Sequence, residues 1–158
     1  MIEIGTYSTC DKESVIALVL HCQNDGTRPL VGVEDQSDLL HIEEEYIYNG
    51  GNFWVANGKV AGTIGLMNKG NGLCILKKFF VYEPYRGKPH NLGQQLYGVF
   101  LEFAKLHGFS RIILDTPKNT DRAHLFYEKA GFRRIEKEEL PVEYDYPYDD
   151  SHFFYLDL

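Results

Sequence analysis

The residues best suited to chemistry gather where an extended run gives way to a helical one, in the stretch VYEPYRGKPHNLGQQL from Val81 to Leu96. Pro84 and Gly87 punctuate a short loop. Asn91, with Gln94 three residues on, has the spacing of a helix N-cap with a capping box. A helix starting there exposes unpaired main-chain N–H groups at the positive end of its dipole, which favours a phosphate. Arg86 and Lys88 add cationic charge, and Gly87 and Gly93 let a ligand approach the main chain with no Cβ in the way. A well-capped surface helix with two exposed bases would carry the same residues, and the loop alone does not separate the two.

The run feeding this loop, LCILKKFFVY from Leu73 to Tyr82, changes the parity of its apolar positions across Lys77 and Lys78. Such a change suggests a β-bulge, which leaves main-chain groups for an extended ligand with amides to pair with. An ordinary strand buried on both faces gives a similar pattern. Farther on, Glu138, Glu139, Glu143, Asp145, Asp149 and Asp150 interleave with Tyr144, Tyr146 and Tyr148. Acids and rings together suit an ammonium through charge and cation–π attraction, or they form a solvated acidic loop. His41, His90 and His124 stand singly and read as surface residues, as does Glu83. Cys10, Cys22 and Cys74 are an odd set with no CxxC and no metal-ligand spacing. They read as plain thiols of a reducing cytosol, and no metal is expected.

The elements that must position these residues follow from periodicity. A strand covers 2–8, and Asp11 caps a helix over 12–22 with Val15, Leu18, Val19 and Cys22 on one face. A second helix is expected over 36–47. FWVAN and KVAGTIGLM flank Asn57-Gly58, a hairpin signal, and a third strand runs from Leu73 to Tyr82. Leu92, Leu96, Val99, Phe100, Phe103 and Leu106 recur at helical spacing up to Gly108, a C′ glycine. Arg111 to Asp115 is a short strand and Asp121 to Lys129 a helix closed by Gly131. Two strands follow, one near Phe132 and one in HFFYLDL at the end. The order is β-α-α-β-β-β-α-β-α-β-β, an α+β arrangement on one mixed, mostly antiparallel sheet flanked by helices.

The 158 residues are one domain's worth, and a 44% apolar content supports a packed core. The first residues show no basic-then-apolar leader, and the longest apolar run, Val15 to Leu20, is too short to span a bilayer. The net charge of −7 argues against a nucleic-acid backbone as partner. A cytoplasmic protein with no membrane partner is expected. Its acidity fits a cationic substrate, or simply solubility.

The segment from Leu73 to Phe132 resembles the cofactor core of the GNAT superfamily, the GCN5-related N-acetyltransferases. The resemblance rests on Val81, Pro84, Arg86, Gly87, Lys88, then Asn91-Leu92-Gly93, and later the run FYEKAGF from Phe126 to Phe132. It covers about sixty central residues, and the order of elements along the whole chain agrees. Three departures stand out. Pro89-His90 look like an insertion before the helix, Asn91 stands where the family has its middle glycine, and the family's asparagine falls on Thr120, with Asn119 one place earlier.

The resemblance implies a single acetyltransferase domain over 1–158, acetyl-CoA as co-substrate, and transfer to an amine by direct attack on the thioester. Phe79, Phe80 and Val81 would bond the pantetheine arm through the main chain. Residues Gly87 to Gln94, including Asn91, Leu92 and Gly93, would wrap the pyrophosphate with Arg86 and Lys88 nearby, and Thr120 or Asn119 would touch the cofactor. Tyr127 matches a tyrosine that protonates the departing thiolate in relatives, or else it packs beneath the cofactor. A phenol of reference pKa about 10 can serve a thiolate of comparable basicity. Asp115 falls where some relatives carry a catalytic glutamate, though it equally suits a turn beside Thr116-Pro117. The acceptor would be a small-molecule amine or an amine on a protein. A cationic one, steered by the acidic 138–150 segment, is expected. Pairing as a homodimer, transfer of another acyl group or to a hydroxyl, and a non-catalytic acyl-CoA-binding role all stay open.

Overall fold

The computed structural model describes residues 2–26, 28–56 and 60–158. The expected turn at Asn57-Gly58 lies outside the described residues. Seven strands form one sheet in the order β1-β2-β3-β4-β5-β7-β6: β1 (Ile4–Thr6), β2 (Asn52–Ala56), β3 (Gly62–Gly70), β4 (Leu73–Val81), β5 (Arg111–Thr116), β6 (Arg133–Ile135) and β7 (His152–Asp157). Every neighbouring pair is antiparallel except β4 and β5. The helices are α1 (Lys12–Gln23), α2 (Leu92–Leu106) and α3 (Asp121–Lys129). This is the expected α+β fold on a mixed, mostly antiparallel sheet.

Helices cover both faces, so the central strands are buried on both sides and read as nearly continuous apolar runs. On one face, α1 packs Val15, Leu18, Val19 and Cys22 against Phe53, Val55, Ile75 and Ile113. On the other, α2 buries Leu92, Leu96, Tyr97, Phe100 and Ala104 over Trp54, Ile64, Leu66, Leu76 and Ile112, and α3 adds Tyr127. The α2 stripe ends sooner than its periodicity implied, since Leu106 is 79% exposed. The helix closes at Gly108, φ +80°, with the Phe109 N–H donating to the Ala104 carbonyl at 2.9 Å.

The second helix expected over 36–47 is not an α-helix. The chain makes 3₁₀ turns at Val33–Asp35 and Ser37–Leu40 and a π turn at Glu43–Ile47. Gln36 and His41 leave helical space, at φ −143° and −137°. Side-chain demands explain the break. Gln36 pairs its amide with that of Gln23 on α1 in two reciprocal bonds of 2.7 Å. The 3₁₀ and π turns together turn Leu39, Ile42 and Tyr46 inward, all at most 2% exposed. The Tyr46 hydroxyl then donates to Asp38 at 2.6 Å. Asp11 precedes α1 as expected but does not cap it. Its carboxylate instead accepts the Ser8 N–H at 3.0 Å in the preceding turn.

Of the two readings of the parity change, the structure shows the bulge. Thr63 pairs with Phe80 and Gly65 with Lys77, so Lys78 and Phe79 together oppose Ile64, and Lys78 takes a left-handed φ of 53°. The Thr63 hydroxyl donates to the Lys78 carbonyl at 2.7 Å and holds the kink.

Candidate active site

Strands β4 and β5 are joined only through Leu73–Ile75 and Arg111–Ile113. Beyond that, β4 stays with β3 as far as Val81 while Leu114–Thr116 stay with β7. The two halves of the sheet therefore part in a wedge. One set of main-chain groups of Leu76–Val81 has no strand to meet across it. A cavity of about 660 Å³ fills the wedge.

Three elements bring the sequence candidates to this cavity. From β4 come Phe79, Phe80 and Val81; from the loop and the start of α2 come Arg86, Gly87, Asn91, Gly93 and Gln94. From the end of β5 and α3 come Asp115, Asn119, Thr120 and Tyr127. Two candidates stay outside. Lys88 is exposed and does not line the cavity, and Leu92 is fully buried in the core.

The loop explains the insertion. Gly87 has φ +64°, Asn91 has φ +48°, and the Asn91 N–H donates to the Gly87 carbonyl at 2.6 Å. Pro89 and His90 thus form a closed turn that sets α2 starting at Leu92. Asn91 makes no side-chain cap bond, contrary to the capping-box reading, because its left-handed backbone does not aim the side chain at the helix. The first intrahelical N–H is that of Gln95, to Asn91 at 3.2 Å. The N–H groups of Leu92, Gly93 and Gln94 precede it and remain available at the positive end of the dipole. A Cβ on Gly93 would meet only the Phe79 ring tip, at 3.8 Å, so the space above this glycine is open.

Thr120 and Asn119 differ in freedom. The Thr120 hydroxyl is shared with Thr116 at 2.8 Å and with the Pro117 carbonyl at 2.7 Å. Asn119 is exposed. Tyr127 is 6% exposed, among Phe79, Phe126, Phe132 and Phe154. Burial pushes its phenol well above the usual value, with the charge of Asp115 adding to the rise. It therefore keeps its proton at neutral pH. Asp115 is also raised, by burial first, against the opposing pull of Lys77 and Lys78. The buried Tyr144 hydroxyl completes no hydrogen bond of ordinary geometry, yet it lies near enough to Asp115 for each to shift the other.

Several lining residues escaped sequence reasoning as site residues: Cys22, Arg28, Lys77, Lys78 and Arg122. The parity break marked Lys77 and Lys78 as odd without showing that they enter the site. Arg122 sits at the start of an ordinary helix, with nothing to set it apart. The Arg86 guanidinium donates to the Val81 carbonyl at 2.7 Å, and Arg122 is lowered by burial and then by the charge of Arg86. Two cations thus converge on one side of the cavity. The acidic segment sends only Pro147 and Tyr148 there, whereas Glu138, Glu143 and Asp145 line a second depression with Lys69 and Lys137. The expected acidic wall is therefore not at this cavity. Among the described residues no group of three or more His, Cys, Asp or Glu is placed to hold a metal.

Comparison with known proteins gives this cavity its context. The family described as "Acetyltransferase (GNAT) family" matches residues 16–132. The chain belongs to the GNAT family of acetyltransferases. Its fold superimposes on an acetyltransferase from Streptococcus agalactiae 2603 with a TM-score of 0.94 and 38% identity, covering 99% of this chain and 98% of that one. A GNAT-family acetyltransferase from Staphylococcus aureus Mu50 gives 0.91 and 32%, over 99% of each chain. Among curated proteins, the N-acetylaspartate synthetase of Xenopus tropicalis is 35% identical over 104 residues, 63% of this chain and 38% of that protein. The chain spans half the length or less of the curated relatives it matches. The GNAT match takes in β4, the loop, α2, β5 and α3, which between them carry the sequence candidates around the wedge.

Proposed function

We propose that this chain, as one domain over residues 1–158, transfers an acetyl group from acetyl-CoA to an amine, in the cytoplasm. The observation that carries the reading is the wedge between β4 and β5, with the unsatisfied start of α2 at one side and Asp115 and Tyr127 deep within it. Family membership supports the same reading. The N–H groups of Gly93 and Gln94, with Arg86, hold the pyrophosphate. Main-chain groups of Phe79 to Val81 pair with the amides of the pantetheine arm, as an added strand would. Asn119 turns its free amide to the same arm.

The acceptor nitrogen attacks the thioester carbonyl carbon. A C–N bond forms as the C–S bond breaks. Asp115 takes the proton that the amine must lose, and Tyr127 gives its proton to the departing thiolate, to be restored from water. No side-chain nucleophile is needed, since holding both reactants in one wedge supplies the proximity. The test is release of free thiol from acetyl-CoA across a panel of amines, with acetyl-CoA binding measured separately by calorimetry. Binding with amine-dependent release supports the proposal. Binding with no release for any amine overturns it.

A further inference from the structure

The bulge in β4 has a second effect, on charge. In a regular strand Lys77 and Lys78 would point to opposite faces. With the extra residue at Lys78–Phe79, both turn to the face that carries α1, while Leu76 and Phe79 face α2. Both lysines line the cavity, at 8% and 7% exposure. A buried ammonium is costly unless charge or hydrogen bonds offset it. Lys78 has such an offset: Asp38 lies 3.4 Å away, fixed by the Tyr46 hydroxyl. Lys77 is held by neutral groups only. Its Nζ donates to the Asp145 carbonyl at 2.9 Å and lies 5.8 Å from the Tyr144 ring centre. The carboxylates that feel Lys77, Asp38 and Asp115, are not in ion-pair contact with it. Asp115 stands on the same face of the sheet one strand away, where Ile113 two residues before it packs toward α1. Across the cavity, Arg28 faces inward, bonded to the Cys22 carbonyl at 2.9 Å and paired with Asp25 at 3.4 Å.

We propose that the acceptor is an amine that carries its own carboxylate, a free amino acid or a similarly short amino carboxylate, with the carboxylate on Lys77 and the amine toward Asp115. This rests on the acetyl-transfer reading above and narrows it. A purely cationic acceptor would meet Asp115 but leave the Lys77 ammonium facing a like charge. A neutral amine would leave Lys77 unmatched. Only a molecule with both signs meets the cation and the carboxylate that share this wall, and charge complementarity of this kind sets specificity more than raw affinity. Lys77 is thereby a specificity residue that touches the acceptor, brought to the site by the bulge.

The experiment measures thiol release at saturating acetyl-CoA for the common amino acids, each beside its carboxamide, and for spermidine. At least one amino acid is turned over with a kcat/KM ten-fold or more above its carboxamide and above spermidine. Lys77→Met lowers that kcat/KM at least ten-fold more than it lowers the carboxamide's, chiefly through KM. Lys77→Arg, which keeps the cation, retains the preference and covers the case in which the Met variant does not fold. A carboxamide or spermidine that equals or surpasses every amino acid overturns the inference while leaving acetyl transfer standing. So does a Lys77→Met variant that loses all acceptors alike. Absence of release with every amine overturns acetyl transfer itself, and this inference with it.

Discussion

Tyr127 and Asp115 reach the wedge from different elements, and burial acts on both in the same direction. A raised phenol stays protonated at working pH and is a proton donor throughout. Tyr127→Phe removes the proton and keeps the ring among its aromatic neighbours. Turnover at saturation then falls by roughly a hundred- to ten-thousand-fold, a general acid's usual share, while acetyl-CoA affinity measured by calorimetry stays the same. An unchanged kcat would assign Tyr127 to packing. Asp115 gives a two-part outcome. As the base, it works only when ionised, so Asp115→Asn lowers kcat and moves the pH optimum upward, because the amine must then lose its proton unaided. Its carboxyl is raised in the fold, so the folded chain binds that proton more tightly than the unfolded one does. The resulting stability is present below the unfolded value, about 3.9, and is lost as pH climbs through the raised value. Urea melts of Asp115→Asn should therefore improve relative to wild type between pH 4 and pH 7. A pH–rate profile identical to wild type would remove Asp115 as base, and a stability difference flat across that range would mean its carboxyl is not raised.

At the scale of elements, the bulge does most to shape the site, and it can be tested without touching the cavity lining. Thr63 is fully buried, and its hydroxyl is the group that meets the Lys78 carbonyl. Thr63→Val keeps the shape and leaves a buried acceptor unpaired, which costs about 1–3 kcal/mol in a urea melt. A loss near zero would show that another donor satisfies the carbonyl. The bulge left a local sign, because one inserted residue flips the parity of every apolar position after it, although a strand buried on both faces gives a similar pattern. The α1 face and the Gly108 stop were readable, since each depends on near neighbours in the chain. The segment from 33 to 47 was not. Leu39, Ile42 and Tyr46 have spacings of three and four that suit an α-helix, but Gln36 turns out of the helix to meet Gln23, and no local pattern announces a partner thirteen residues away. The candidate site divides along the same line. Glycines, caps and the strand-to-helix junction are local signals. The entry of Arg28, Lys77 and Arg122 depends on which elements the fold sets side by side, and the acidic stretch looked like a wall of the site only because its neighbours in space were unknown.

For the molecule as a whole, the wedge is a weakness that a ligand can repair. The two halves of the sheet meet through three residue pairs of β4 and β5, while Leu76–Val81 and Leu114–Thr116 part company. Acetyl-CoA lying in the wedge would bridge the halves through main-chain bonds on the β4 side and side chains on the β5 and α3 side. A ligand that binds only the folded chain stabilises it by mass action, about 2.7 kcal/mol at a hundred times Kd. For a chain of this size that is a rise in Tm of roughly 5–11 °C. Mass action alone does not say where the stabilisation is felt, but the topology does. Amide hydrogen exchange should slow most at Leu76–Val81, at Leu114–Thr116 and at the first turn of α2, and little in the β1–β2 edge, which lies away from the wedge. Gly93→Asp supplies the control. The added side chain has open space in the free protein, so the variant folds and melts like wild type. In the complex it meets phosphate with both bulk and like charge. Both the Tm rise and the local protection should then vanish together. Slowing spread evenly over the sheet, or a Gly93→Asp protein that gains as much from acetyl-CoA as wild type does, would place the cofactor somewhere other than the parting of β4 and β5.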